Sequence, residues 1–222
     1  MNYQFLSRTA LFCGIQPEEM KTMLSCLTAE TQTYEKGEMI YRAGDAAASL
    51  GVVLEGKVLI EHDDIWGNTT VLDSALPGQI FAETYACTPG EPLMVNVEAA
   101  EESQILFLNV SRMLRSCTHA CAFHGKLIRN LLALSAQKNL NLSRKIFHTA
   151  SKSIRGRLTA YLSDQAVRSG SSSFTIPFNR QQLADYLNVD RSALSAELGK
   201  MQREGLLRVK KNLFEIMKES NG

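Results

Sequence analysis

Residues 178–216 read FNRQQLADYLNVDRSALSAELGKMQREGLLRVKKNLFEI and predict two short helices joined by a tight turn. Asn179 can cap the first helix, because its side-chain oxygen accepts from the free N–H groups of the first turn while Gln182 reaches back. The helical pattern breaks at residues 188–189, and Asp190 then offers a second cap. The second helix carries a buried stripe at the i, i+4, i+7 spacing, formed by Leu194, Leu198 and Met201.

The second helix presents small polar side chains on the side opposite this stripe. At about 100° per residue, that side includes Arg191, Ser192, Ser195, Gly199 and Gln202. The fork of an arginine suits a guanine edge or a phosphate, and serine hydroxyls can donate or accept at any base. This side of the helix therefore predicts contact with base edges in the major groove.

A basic hairpin follows the second helix. Gly205 favours a helix end, because glycine adopts the left-handed conformation that side chains resist. Residues 206–209 and 213–216 flank Lys210, Lys211 and Asn212, which is typical of a two-stranded wing with a positive tip. We therefore predict a C-terminal winged helix-turn-helix that binds double-stranded DNA. The alternative is a ligand-binding or assembly module whose winged domain engages protein.

The predicted DNA contacts fall into two classes. Phosphate contacts position a protein on the duplex, whereas base contacts carry the sequence preference. The side chains predicted on the groove-facing side of the second helix are Arg191, Ser192, Ser195, Ala196 and Gly199. Those predicted on phosphates are Arg180, Gln181, Lys210 and Lys211.

The chain has 222 residues, 45% of them hydrophobic and 21% charged, which allows a globular protein with two small domains. Its net charge is only +1, but the charge is unevenly divided. From residue 151 onward, 12 Lys and Arg stand against 7 Asp and Glu, a balance of +5. Residues 1–150 hold 12 against 16, a balance of −4, so the positive end carries the winged helix-turn-helix.

The sequence indicates a cytoplasmic protein with no membrane partner. No apolar run approaches the length of about 20 residues that crosses a bilayer, and the first residues lack the basic-then-apolar pattern of an export signal. The five cysteines are odd in number and widely scattered, as reduced cytosolic thiols are.

Residues 31–108 show short apolar stretches separated by glycine or other turn residues, after a short helix predicted within residues 11–27. Good examples of these stretches are residues 51–54, 57–60 and 104–108. This spacing indicates an antiparallel β jelly-roll barrel. The predicted fold class is thus α+β, with an N-terminal barrel, a long helix and the C-terminal winged helix-turn-helix.

One long helix is predicted between residues 117 and 147, and its apolar surface is unusually wide. Two adjacent stripes run along it, one with Phe123, Leu127, Leu131 and Leu134, the other with Ile128, Leu132 and Ala136. A surface helix buries a single stripe, so this helix is expected to pack against two bodies. One is the chain's own barrel, and a second copy of the helix is the expected other. A helix sandwiched within one chain is the alternative.

The predicted segments are a barrel over 1–117, a dimerisation helix over 118–147 and a winged helix-turn-helix over 148–222. The residues that we predict along the dimer helix are Phe123, Leu127, Ile128, Leu131 and Leu134. This arrangement predicts a homodimer.

Metal and enzyme chemistry are weakly represented. One group of possible ligands consists of Cys117, His119, Cys121 and His124. His119 points elsewhere at helical periodicity, and structural zinc usually needs four converging ligands. Cys13 and Cys26 alone do not form the close cysteine cluster of an iron–sulfur site. No Gly-rich phosphate loop, nucleophile elbow or defined carboxylate pair occurs either, so we predict no metal site and no enzyme. A redox- or haem-sensing regulator is the alternative.

The order of barrel, long helix and winged helix-turn-helix resembles the Crp/Fnr superfamily of bacterial transcription regulators, over nearly the whole chain. The barrel residues that match the family are Tyr34-Glu35-Lys36-Gly37-Glu38, Ala43-Gly44-Asp45 and Leu54-Glu55-Gly56, and residues 179–207 match its helix-turn-helix. The resemblance implies a homodimer that reads a pseudo-palindromic operator, with half-sites about one helical turn apart. It also implies RNA polymerase as a partner.

The segment that holds the cyclic nucleotide in family members matches only in part. In those members a short helix beginning Gly-Glu is followed by an Arg-Ser pair that grips the cyclic phosphate. Here Glu83 is kept, but Leu93 and Met94 stand where the arginine and the serine are expected. An apolar pair cannot neutralise a phosphate, so we predict an unidentified small effector other than cyclic AMP, and no certain cofactor. The pocket for it would be lined by Phe81, Glu83, Thr84, Leu93, Met94, Leu127 and Leu131, unless these residues simply fill the core.

The base-reading residues also depart from the family. Arg, Glu and Arg commonly stand at the positions that match Arg191, Ser192 and Ala196, and only Arg191 is retained. Ser195 matches a serine of some Fnr-like members, so DNA reading is implied without the usual half-site sequence.

An effector is expected to bias the long helix and, through a hinge near Phe147, the spacing of the two reading helices.

Overall fold

The computed structural model describes residues 1–114 and 122–217. The chain divides into two compact units, Met1–Gln137 and Lys138–Gly222, each with its own apolar core. The border between the units falls inside a long helix that runs from Ala122 to Thr149. The segment borders at residues 117 and 147 remain predictions, and the first of them lies outside the described residues.

Eight strands of the first unit form two antiparallel sheets of four. Their bounds are β1 Glu30–Tyr34, β2 Met39–Tyr41, β3 Ser49–Glu55, β4 Val58–Asp63, β5 Thr69–Ala75, β6 Ile80–Phe81, β7 Asn96–Ala99 and β8 Ser103–Asn109. One sheet has the order β1-β8-β3-β6 and the other β2-β7-β4-β5. The predicted antiparallel fold is confirmed as a two-sheet sandwich.

Strand β3 is buried on both of its faces. Val53 belongs, with Ile105 of β8, to an apolar cluster that also contains residues of the other sheet. Leu50 and Val52 belong to a second cluster, which includes helical residues. Successive side chains of a strand point to opposite faces, and the nearly continuous apolar run SLGVVLE supplies both of them.

Helices cover the outer face of this sheet. Their bounds are α1 Tyr3–Leu6, α2 Pro17–Cys26, α3 Glu83–Ala86, α4 Val110–Leu114 and α5 Ala122–Thr149, of which only the part before Lys138 belongs to this unit. The short helix predicted within residues 11–27 is confirmed as α2, where the Gln16 N–H donates to Glu19 Oε2 at 3.0 Å. Helix α5 is tied to the N-terminal segment, because Asn130 Nδ2 donates to the Leu11 carbonyl at 2.9 Å.

The second unit holds the end of α5 and the C-terminal elements. Their bounds are α6 Ile154–Ser169, β9 Ser173–Thr175, α7 Arg180–Tyr186, α8 Arg191–Arg203, β10 Leu207–Lys210 and β11 Leu213–Ile216. The strands pair antiparallel in the order β10-β11-β9. Phe174 of β9 pairs with Phe214 of β11, and their rings stack with centroids 6.3 Å apart. The predicted winged helix-turn-helix is confirmed, with β9 as a third strand beside the wing.

None of the helices in the described parts of the chain is both long and apolar enough to span a membrane.

Candidate nucleic-acid interface

Two caps define the start of α7 and the start of α8. Asn179 Oδ1 accepts from the Gln182 N–H, and Gln182 Oε1 accepts from the Asn179 N–H, both at 2.9 Å. Asp190 Oδ1 accepts from the N–H groups of Ser192 at 2.8 Å and Ala193 at 2.9 Å. The Ser192 hydroxyl and then the Ala193 N–H hold the pKa of the Asp190 carboxyl below its usual value. The cap of α8 is therefore charged at neutral pH, which suits a helix N-terminus.

The turn between α7 and α8 contains one left-handed residue. Asn188 has a φ of 52°, a conformation that asparagine tolerates better than most side chains. The Val189 N–H donates to the Ala184 carbonyl at 3.0 Å and closes the end of α7. The two helices pack through side chains with no exposed surface, namely Leu183, Leu187 and Leu194.

The buried stripe predicted for α8 is confirmed. Leu194, Leu198 and Met201 are at most 5% exposed. On the other side of the helix, a Cβ added to Gly199 would meet Arg203 Nη1 at 3.5 Å, so the helix itself leaves room there. The exposed or half-buried residues of that side are Arg191, Ser192, Ser195, Ala196 and Gly199. Small side chains thus leave the backbone of α8 open to close approach.

The Arg191 guanidinium is available for an external partner. Within the described part of the chain, it has no hydrogen-bond or ion-pair partner, and the residue is exposed. It lies in the first turn of α8, next to the capping carboxylate of Asp190.

The two serines are more restricted than predicted. Ser192 Oγ donates to Asp190 Oδ1, and Ser195 Oγ donates to the Arg191 carbonyl at 2.9 Å. Because each hydroxyl proton is used inside the helix, only the oxygen lone pairs remain for DNA. In this arrangement the serines can accept from a cytosine or adenine amino group, but they do not donate.

Arg180 takes part in the structure of the wing as well as in its surface. Its guanidinium lies 5.8 Å from the centroid of the Phe214 ring, and Nη2 donates to the Lys211 carbonyl at 3.4 Å. Burial lowers the pKa of Arg180, although the group stays charged. The phosphate contact of Arg180 stays a prediction, and the structure adds that its guanidinium also joins α7 to the wing. Gln181, its neighbour, is exposed and donates through Nε2 to Asp185 Oδ1 at 2.8 Å.

The tip of the wing lies beside the start of α7. Lys210 and Lys211 are exposed, and Lys211 has a left-handed φ of 57°. Asn212 holds the tip, because its Nδ2 donates to the Ile176 carbonyl at 3.2 Å. An open cavity of about 420 Å³ lies here, lined by Pro177, Phe178, Asn179, Arg180, Gln182, Lys211 and Asn212. Two cationic side chains thus border a concave surface next to the helix pair.

Comparison with known protein families agrees with this geometry. The cyclic nucleotide-binding domain family matches residues 31–119, and the Crp-like helix-turn-helix domain family matches residues 156–220. The chain is a Crp-family transcription regulator. It is therefore not an enzyme, as the sequence predicted. The second unit of this regulator, Lys138–Gly222, is called the DNA-binding unit below, and α8 the recognition helix.

Individual relatives support the same conclusion. The cyclic AMP receptor protein of Thermus thermophilus is 25% identical over 212 residues, which are 93% of this chain and 91% of that protein. The "Probable transcriptional regulator flp" of Lacticaseibacillus casei is 27% identical over 205 residues, 86% of this chain and 84% of that protein. The crystal structure of the Thermus thermophilus catabolite activator protein has a TM-score of 0.52 at 24% identity. The match covers 95% of this chain and 94% of the Thermus thermophilus chain, and it supports the fold.

Two arginines of α6 hold the helix-turn-helix of the regulator. Arg155 Nε donates to Glu197 Oε1 at 2.6 Å, and its Nη1 and Nη2 donate to the Glu204 carboxylate at 2.7 and 2.9 Å. Hydrogen bonds from Arg155 lower the pKa of Glu204. Arg157 Nη1 donates to the carbonyls of Leu187 and Asn188, in the turn before the recognition helix, at 2.9 and 2.8 Å. The sequence pattern did not reveal these roles, because each partner lies at least 30 residues away.

Helix α5 of the regulator has apolar side chains in the core and others in solvent, but they do not divide as the two predicted stripes do. Leu127 and Leu131 are buried in the core of the first unit, and Phe123, Ile128 and Leu134 pack partly against it. The predicted dimer residues therefore pack wholly or partly within the chain, and those that are fully buried cannot also contact a partner. The exposed apolar side chains of α5 are instead Leu132, Leu140, Leu142, Ile146 and Phe147.

The residues of the predicted effector pocket do not converge on one cavity. Phe81 and Leu93 belong to the cluster inside the sandwich, whereas Leu127 and Leu131 belong to the cluster beneath the helices. Met94 is 68% exposed and Thr84 is also exposed, while Glu83 is buried at the start of α3. The prediction did not separate these locations, because the residues come from a strand, α3, a loop and α5, and local sequence does not show which of these elements meet.

Phe81 fills the space above a strand. A Cβ added to Gly51 of β3 would lie 2.2 Å from the Phe81 ring, so only glycine allows this contact. The Phe81 ring therefore forms part of the packed interior of the sandwich in this structure.

The cysteine and histidine group predicted near residue 120 is only partly described. Cys117, His119 and Cys121 lie outside the described residues, and His124 is buried. Cys13 and Cys26 are exposed free thiols. Among residues 1–114 and 122–217, no cluster of side chains that could hold a metal ion occurs.

Proposed function

We propose that the regulator binds DNA as a homodimer and reads a pseudo-palindromic operator through two recognition helices. The observation that carries this proposal is the outward face of α8, where small side chains share the exposed side with Arg191, whose guanidinium has no partner among the described residues. Such a face can enter the major groove and place one long cationic side chain at a base edge.

The proposed DNA contacts are of the two classes predicted from the sequence, base contacts and phosphate contacts. Arg191 donates to a guanine edge, and the lone pairs of Ser192 and Ser195 accept from amino groups of neighbouring bases, while Ala196 and Gly199 permit the close approach. Lys210 and Lys211 contact phosphates from the wing, since both are exposed beside the helix pair. Arg180 and Gln181 complete the phosphate contacts, and Arg180 supports the wing from beneath.

The proposed homodimer forms through the exposed apolar face of α5. Leu132 is 68% exposed, and the exposed apolar residues of α5 continue to Phe147. A helix with one face in its own core and a second apolar face in solvent is suited to pair with its own copy. Two copies then present two recognition helices to successive turns of a duplex.

We further infer that the first unit, Met1–Gln137, responds to a small effector other than cyclic AMP. Leu93 is buried inside the sandwich and Met94 is exposed, and neither side chain can neutralise a phosphate. The buried carboxyl of Glu83 gives the unit a polar group at the start of α3. Cytoplasmic location and contact with RNA polymerase follow from the proposed role in transcription.

The DNA proposal is tested by selecting fragments of the native genome on the purified regulator at moderate salt. Arg191→Ala is expected to cost about 1–3 kcal/mol of binding free energy and to relax the preference at one base pair. Arg112→Ala, which removes an exposed arginine from α4 in the other unit, serves as the matched control. Equal weakening on every sequence would assign Arg191 to a phosphate, and no enrichment of fragments would contradict DNA reading.

The effector proposal is tested separately by thermal unfolding in the presence of a metabolite panel. A compound that binds the folded state raises the melting temperature, and it should also change the affinity for the selected DNA. A panel in which no compound does both contradicts effector control.

A further inference from the structure

The last turn of α5 is fixed inside the DNA-binding unit by His148. The imidazole is 2% exposed, and its centroid lies 5.3 Å from the ring of Tyr161 and 5.9 Å from that of Tyr186. Phe178 completes this aromatic group, 5.0 Å from the Tyr186 ring. The end of the long helix thus contacts both α6 and α7 through one titratable side chain.

His148 is also hydrogen-bonded to the helix-turn-helix. Its Nδ1 lies 2.9 Å from Tyr186 Oη, while Nε2 lies 3.5 Å from Asp164 Oδ2 and makes no hydrogen bond. Burial raises the pKa of Tyr186, so its hydroxyl keeps the proton and can donate to Nδ1. We assign the neutral tautomer with its proton on Nε2, because this N–H then faces the Asp164 carboxylate.

The turn that follows α7 is held by a second contact. Tyr186 is the last residue of α7, and Arg157 Nη1 binds the carbonyls of the next two residues. Arg157 Nε also donates at 2.8 Å to the carbonyl of Ser151, which follows the end of α5. The end of α7 is therefore joined to the end of α5 by His148, and the turn before the recognition helix is joined by Arg157 to the segment after α5.

The groups around His148 favour its neutral form. Arg144 of α5 and Asp164, Arg168 and Tyr161 of α6 face it, together with Tyr186 of α7. Burial lowers the pKa of His148; the Asp164 carboxylate opposes this, and the two arginines lower the pKa further. The stabilisation that depends on neutral His148 is complete above the unfolded pKa of about 6.5. It decreases below that pH and is lost once the pH has fallen through the lower pKa of the folded state.

We propose that His148 is a positioning residue for the recognition helix: its neutral imidazole joins the last turn of α5 to α7 through Tyr186, and protonation places a charge among these buried rings, which loosens the junction and weakens DNA binding. Protonation also places a hydrogen on Nδ1, so the Tyr186 hydroxyl must turn to accept from that atom, and its own proton loses the Nδ1 acceptor. The regulator then becomes sensitive to mild acid. This inference rests on the proposed DNA-binding function.

The test compares DNA affinity as a function of pH in the full chain. The probe is a duplex selected from random sequence with the unaltered protein at neutral pH. Below the pKa of His148 the neutral fraction falls about tenfold for each pH unit, and the apparent affinity should fall by up to that factor per subunit. His148→Gln keeps an amide that can bond to Tyr186 but does not titrate, so its affinity should stay nearly constant over the same range.

A second variant separates the hydrogen bond from the packing. Tyr186→Phe keeps the aromatic ring and removes the hydroxyl, so it should bind the duplex more weakly than the unaltered protein at neutral pH. His62→Gln and His124→Gln serve as controls, since these histidines belong to the other unit, and both should keep the original pH profile. Thermal unfolding at each pH verifies that every protein compared is folded.

Two results would overturn the proposal. One is a His148→Gln profile that falls with pH as steeply as the original, and the other is a Tyr186→Phe protein that binds as tightly as the original at neutral pH. Failure of the unaltered protein to select any duplex is a different result, because it contradicts the proposed DNA-binding function itself.

Discussion

At the scale of single residues, Gly199 lowers the stability of the recognition helix but leaves room at its surface for DNA. It lies within α8, where glycine is less favourable than alanine by roughly 1 kcal/mol. Gly199→Ala should therefore raise the free energy of unfolding by up to about 1 kcal/mol. The new Cβ causes no clash, because its nearest neighbour, Arg203 Nη1, lies 3.5 Å away. The affinity for DNA should fall, because the methyl group faces the groove. Urea unfolding and DNA titration measure the two effects.

Gly125→Ala provides the matched control for Gly199→Ala. Gly125 also lies within a helix, and a Cβ there meets nothing within 4 Å. This variant should gain helix stability and leave DNA affinity unchanged. If Gly199→Ala also gains stability and binds DNA as tightly as before, the outward face of α8 does not lie close to the duplex.

Residue types and faces could be predicted from the sequence, but the internal partners of polar groups could not. The exposed side of α8 follows from helical periodicity, so Arg191 was placed correctly on it. The donors of Ser192 and Ser195 are used by nearby oxygens, and a serine at such a position can equally leave its proton free. Arg180 rests on Phe214, a residue 34 positions further along the chain, and no local pattern signals that contact.

At the scale of elements, the capping box of α7 is expected to control the stability of the DNA-binding unit. Asn179→Ala removes the oxygen that accepts from the Gln182 N–H, and it should lower the free energy of unfolding by about 1 kcal/mol. Asn179→Ser keeps an accepting oxygen and should retain most of that stability. Chemical unfolding of the three proteins measures the difference. Equal losses in both variants would show that the side chain acts other than as a cap.

Helix α5 offers a second prediction at this scale, because its two faces differ in burial. Leu127→Ala should destabilise the first unit by about 2–5 kcal/mol, since a fully buried leucine leaves a cavity. Leu132→Ala, on the exposed face, should change the free energy of unfolding by no more than about 0.5 kcal/mol in the monomer. Chemical unfolding at low protein concentration measures both values. Similar losses would contradict the assignment of the two faces.

A helix with a wide apolar surface was predicted correctly for α5, but the residues assigned to the dimer contact were wrong where they are buried, as Leu127 and Leu131 are. The stripe that belongs to the core is decided by the N-terminal segment, where Leu11 accepts from Asn130 across a separation of 119 residues. Local periodicity contains no information on such a contact. The strands were predicted better, because alternation and turn residues act over a few positions.

At the scale of the whole molecule, the order of the parts and the uneven charge were enough to predict a DNA-binding regulator. The effector pocket stays a prediction. Its expected residues lie in two separate clusters, and Phe81 fills the space that Gly51 leaves. Packing of this kind depends on which strand faces lie opposite each other, and that arrangement is decided by the complete sandwich.

The assembly of two chains gives the last prediction. Leu132→Glu places a charge on the exposed face of α5 without disturbing a buried side chain, because Leu132 is 68% exposed. The chain should remain folded and become a monomer, since two carboxylates would face an apolar seam. Its affinity for a full operator should fall steeply while its affinity for a single half-site is kept, because the two half-sites no longer act together.

Light scattering and DNA titration check this prediction, with Leu72→Glu as the control. Leu72 is an exposed leucine of β5, so the control adds the same charge away from the helix. The control should keep the mass of a dimer and the full affinity for the operator. A Leu132→Glu protein that still has the mass of a dimer would place the contact between copies on another surface. The recognition helices would then be spaced by a contact other than the α5 seam.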